Sequence, residues 1–193
     1  MTITTRWPGR DRRRRGYTLV EVLIASTLAA FTLLGVLSSF LFLVRSGTNI
    51  RNYSDMESQA RKALELFAED VRQASAITWP SNQSVTLTVN SQPITYTFNS
   101  GNNNFTRTHL EGVTPVTRVL ISGVTPNTFT FRAYTVSGTE LPLASPANLT
   151  AAGVNTKQLQ ISLQATRSNQ TVVSATNTVL SARFILRNKI VTA

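Results

Sequence analysis

One carboxylate stands where a carboxylate is expensive. From Tyr17 to Val44 every side chain is apolar, small or hydroxylic except Glu21 and the normally neutral Tyr17. A carboxylate inside an apolar span is costly and is usually found with a partner. No other charged side chain lies within the span. The partner therefore comes from outside the segment, or the group is neutral. The chemistry on offer is ion pairing, since a charge pair in a low-dielectric setting attracts strongly while each member alone is costly.

Other chemistry is poorly supplied. There is no cysteine, which excludes disulfides, thiol nucleophiles and cysteine metal sites. His109 is the sole histidine and reads as an ordinary sheet or surface residue. Beyond residue 77 the only carboxylates are Glu111 and Glu140, too few for a paired acid/base site. Calcium takes six to eight oxygen ligands, usually several carboxylates, so no metal site is expected. No phosphate-binding glycine motif or dinucleotide loop is present. The sequence predicts neither an enzyme nor a cofactor.

The elements that position Glu21 come next. The run from Tyr17 to Val44 would be roughly 42 Å long as a helix, and a bilayer core needs about 20 residues. It follows a basic flank holding Arg6, Arg10, Arg12, Arg13, Arg14 and Arg15. Such a flank stays cytoplasmic, which places the remainder outside. A cleaved secretory signal has an apolar core of about 7–15 residues and a small-residue cleavage site, and this run has neither. A plain signal anchor fits length and flank but leaves Glu21 without a role.

Helical periodicity resumes after Arg45-Ser46-Gly47. Ile50, Tyr53, Met56, Ala60, Ala63, Leu64, Phe67, Val71 and Ala74 recur in steps of three and four along one face. Glu57, Arg61 and Glu65 are spaced i, i+4 on the exposed side. One long helix over 17–76 is expected, with bends at Gly35 or Gly47, its apolar stripe packing on a sheet. Trp79-Pro80-Ser81-Asn82 is expected to close it.

Period-two alternation then takes over through Val85-Leu87-Val89 and Ile94-Tyr96-Phe98. Further strands are expected over 105–108, 117–121, 128–134, 157–167 and 179–186, with 141–155 as a loop. The fold class is α+β: a long N-terminal helix packed on an antiparallel sheet.

The text Gly16-Tyr17-Thr18-Leu19-Val20-Glu21-Val22-Leu23-Ile24-Ala25, behind its arginines, resembles the class III signal of type IV pilins and pseudopilins. The resemblance implies a pilin-like fold with a basic leader over 1–16, a transmembrane helix over 17–44, an amphipathic spine over 45–77 and a β-rich head over 78–193. It implies that a prepilin peptidase cuts between Gly16 and Tyr17, and that Tyr17 becomes the N-methylated terminus. It implies that Glu21 neutralises the terminal ammonium of a neighbouring subunit and so sets filament register. The implied partners are the peptidase, other pilin or pseudopilin subunits, and an inner-membrane platform driven by a separate ATPase. The implied location is the inner membrane, with the head periplasmic or extracellular.

Many major pilins carry proline where Ser38 stands. The run Ala60–Ala74 resembles J-type pseudopilins of type II secretion and W-type minor pilins. Together these imply a minor pilin or pseudopilin that primes or caps a filament, its machine left open. Two other readings remain. The head holds eight basic residues against Glu111 and Glu140. Arg107, Arg132, Arg183, Arg187 and Lys189 could therefore contact DNA phosphates in a competence pilus, with Phe105, Phe131 and Tyr134 stacking on bases. A stand-alone membrane-anchored extracytoplasmic protein is the third.

Overall fold

The computed structural model describes residues 16–169 and 172–191. The leader arginines lie outside the described residues. The chain divides into two compact units, Met1–Val44 and Arg45–Ala193. Helix α1 (Leu19–Gln73) contributes to both, and its helical assignment runs unbroken through Gly35 and Gly47.

In the first unit the helix is apolar on all sides, and none of its most apolar window is buried. Its hydroxyls are turned inward on the backbone. Ser26, Thr27, Thr32 and Ser39 donate to the carbonyls of Leu23, Ile24, Ala29 and Gly35 at 2.8–3.0 Å. Such back-bonding satisfies the polar atoms without water, as a hydrocarbon environment demands.

In the second unit the helix buries Met56, Ala60, Ala63, Phe67 and Val71. The expected stripe began earlier, but Ile50 and Tyr53 are 67% and 49% exposed. The buried face begins at Met56, because no described residue covers the two before it. The helix also stops short of residue 76, ending at Gln73.

Strands β1 (Ala76–Ser81), β2 (Ser84–Val89), β3 (Gln92–Asn99), β4 (Asn104–Glu111) and β5 (Thr114–Ser122) form an antiparallel meander in chain order. Asn90 and Ser91, both at positive φ, make the two-residue turn between β2 and β3. The breaker text around Pro80 does not stop the helix, which ends at Gln73. That text belongs to β1, the sheet's edge strand, where a missing N–H is tolerated. The second sheet runs β7 (Glu140–Leu141), β6 (Thr130–Tyr134), β8 (Gln158–Asn169), β9 (Val172–Ile185).

Within the stretch expected as a loop lies helix α2 (Pro146–Asn155). Ser145 caps it by accepting from the Asn148 N–H at 3.3 Å, and Pro146 takes the first turn. The alanine-rich text reads as helix once Ser-Pro is recognised as a start.

Phe67 joins the layers. Its ring lies 4.9 Å from Tyr96 of the first sheet, and 6.1 and 5.7 Å from Phe131 and Phe184 of the second. Three residues on, Asp70 is 7% exposed. It accepts from Tyr96 Oη at 2.5 Å, Arg107 Nε at 2.8 Å and Arg107 Nη2 at 3.3 Å. Burial, and then the Asp70 carboxylate, push the Tyr96 phenol far above its ordinary range, so it remains a protonated donor.

Candidate processing and assembly site

Thr18 fixes where α1 begins. Its Oγ1 accepts the Glu21 N–H at 3.2 Å, and its carbonyl accepts the Val22 N–H at 3.2 Å. Thr18 is thus the N-cap and Glu21 the third helical residue, in the Thr-x-x-Glu spacing of a capping box. The positive end of the helix dipole favours a carboxylate there. The sequence reading missed Thr18, although that spacing signals it. The helix consequently starts two residues later than expected, leaving Tyr17 outside it.

Gly16 and Tyr17 stand exposed ahead of the cap, Tyr17 at 82%. A Cβ built on Gly16 would meet nothing within 4 Å. The chain's own described structure therefore does not require glycine there. Along the helix, Glu21, Ala25, Ala29, Thr32, Gly35 and Ser39 follow in steps of three and four, which places them on one face. Thr32, Gly35 and Ser39 line a shallow groove with Val36, Phe40 and Leu43.

The five cations expected to contact DNA do not form one cluster, although register sets Arg132 and Arg183 on either side of Gln160. Arg107 is committed to Asp70. Lys189, 7% exposed, donates to the carbonyls of Gly153 and Val154 at 2.7 Å and of Thr156 at 3.0 Å. Both side chains are engaged inside the head. Arg132 lies 3.4 Å from Glu140, Arg183 covers the Tyr134 ring, and Arg187 is exposed. Phe105, Phe131 and Tyr134 are 1%, 5% and 6% exposed, so none offers a ring for base stacking.

Lys189 closes the C-terminal end of α2, where unpaired carbonyls favour a cation. Lys157 Nζ in turn donates to the Lys189 carbonyl. Burial, and then the Lys157 ammonium, lower the Lys189 pKa to about 8 from 10.5. Between those values the unfolded chain binds the extra proton, so this group's contribution to stability rises with pH and is lost as pH falls through about 8. Urea unfolding of the full chain in detergent micelles should show a higher midpoint at pH 9.5 than at pH 7.5. Lys189→Met should flatten that slope. An equal slope in the variant would assign the dependence elsewhere.

An apolar exposed helix, capped by Thr18 and carrying a carboxylate in its first turn, continued as the spine of an antiparallel β head, is a type IV pilin-like architecture. Residues 11–41 match the family described as the prokaryotic N-terminal methylation motif. The chain carries that motif, and the motif implies processing by a prepilin peptidase. No curated protein matches the chain.

Proposed function

We propose that the chain is a minor pilin or minor pseudopilin, inserted in the inner membrane and cut between Gly16 and Tyr17 before it joins a filament. The observation that carries this is the exposed apolar half of α1 with Glu21 as its sole carboxylate. Outside a membrane such a surface needs a protein cover, and fellow helices supply one. Small residues below Glu21 allow close backbone approach. Removal of the leader leaves Tyr17 as a new ammonium terminus, the cation Glu21 lacks within its own span. Pairing of Glu21 with a neighbour's N-methylated Tyr17 fixes register, because every other stagger leaves both charges unpaired in an apolar setting. The assembly platform and its ATPase supply the work, and the head meets neighbours or cargo.

Glu21→Ala tests this. The variant should be trimmed at Tyr17 as the wild type is. A photoreactive residue at Val22 should crosslink to other pilin-like subunits in wild-type cells and lose those adducts in the variant. Unchanged adducts would sink the register argument. A wild-type chain that captures no pilin-like protein would sink the filament reading itself.

A further inference from the structure

Among the described residues the outer face of the second sheet is mostly polar, with Ile185 exposed opposite Gln158. Alternation along β6 turns Phe131 and Ala133 to the core and Arg132 and Tyr134 outward. Strand register then sets Arg132, Gln160 and Arg183 side by side across three strands. The two arginines stand about 10 Å apart at the backbone.

Arg183 is held in place. Its guanidinium carbon lies 3.6 Å from the Tyr134 ring centroid. Gln160 Oε1 accepts from Arg183 Nε at 3.2 Å, Arg183 Nη2 at 3.0 Å and Tyr134 Oη at 3.1 Å. Among the described residues no carboxylate lies within ion-pair distance of Arg183. Its Nε edge is thus used internally, while the Nη1/Nη2 fork is left for a ligand. Beside it, Ser162 and Ser181 bond each other at 2.9 Å, and Gln160 Nε2 donates to Ser181 Oγ at 3.3 Å. Tyr134 is buried although it faces outward, because Arg183 lies over it.

We propose that this face binds an acidic polysaccharide whose sugars bear carboxylates. A guanidinium fixed in advance, with one fork free, suits bidentate recognition of a planar carboxylate. Neutral amide and hydroxyl groups around it match a sugar's hydroxyls. Charge density favours a glycan over nucleic acid. Duplex DNA presents a phosphate charge about every 1.7 Å, whereas this face has more neutral polar groups than cations, and Glu140 already offsets Arg132. The inference concerns the head alone and stands whether or not the chain joins a filament.

The test uses the full chain in detergent micelles, immobilised, against polygalacturonate, neutral dextran and a single-stranded thymidine oligonucleotide. Polygalacturonate should bind and dextran should not. Arg183→Gln should weaken binding by roughly tenfold, and Arg132→Gln, whose charge Glu140 already offsets, should weaken it less, with its unfolding midpoint unchanged. Arg118→Gln, an exposed arginine of the other sheet, should leave binding unchanged. Failure to bind polygalacturonate, an equal loss in Arg118→Gln, or tighter binding of the oligonucleotide would each overturn the proposal.

Discussion

Asp70→Ala should lower the stability of the head by about 3–5 kcal/mol, read from denaturant unfolding of the full chain in micelles. The magnitude follows from what remains behind. Arg107, whose side chain is 15% exposed, loses the carboxylate that compensates its burial. Tyr96, wholly buried, keeps a phenol hydrogen with no acceptor. Each orphan carries its own desolvation cost. The exposed pair Glu57–Arg61, 3.3 Å apart on the same helix, is the comparison. Its removal should change stability by no more than about 0.5 kcal/mol, because solvent screens it. Equal effects at the two sites would show that burial does not set the value of the Asp70 cluster.

Gly16→Leu should leave the leader attached, so that intact-mass measurement finds the precursor and no chain beginning at Tyr17. The expected effect is near complete, and it is separable from folding. A side chain at position 16 meets nothing within 4 Å of its Cβ, so the unfolding midpoint of the head should stay at the wild-type value. The demand for a small residue then belongs to the peptidase. A chain still trimmed at Tyr17 would remove Gly16 from the proposed cleavage site. A chain neither trimmed nor folded would place the effect in the protein itself.

What the sequence disclosed follows from how local each signal is. The anchor is legible because apolar length and a lone carboxylate are properties of adjacent residues. Glu21 and the β2 and β3 alternations are of this kind, and Val85, Leu87, Ile94 and Tyr96 are all buried as their spacing implies. The Asp70–Arg107–Tyr96 cluster joins three elements, and no local pattern pairs them. Even so, Asp70 falls three residues after Phe67 and one before Val71, on the buried face, where a charged residue calls for a partner. The charge of Lys189 suggests exposure, but its burial depends on α2, an element itself hidden in text rich in alanine and proline. Pro80 misled for a related reason. A breaker residue marks a missing N–H, but only the sheet order reveals that β1 is an edge able to spare one.

The strand order also bears on how the head comes together as it is made. Each strand from β2 to β5 pairs with its immediate predecessor, so every pairing closes a short loop at small entropic cost. Synthesis delivers these hairpins one after another, and none needs sequence that has not yet appeared. The second sheet is different, since β6 waits for β8 across β7 and α2. Phe184 arrives later still, on β9, and it packs against Phe67 near the far end of the head's sequence. Until then Phe67 has a completed sheet on one side and no partner from β9 on the other. The interval between emergence of α1 and delivery of β9 is therefore when apolar surface is most open to wrong association, and holding chaperones have most to cover there.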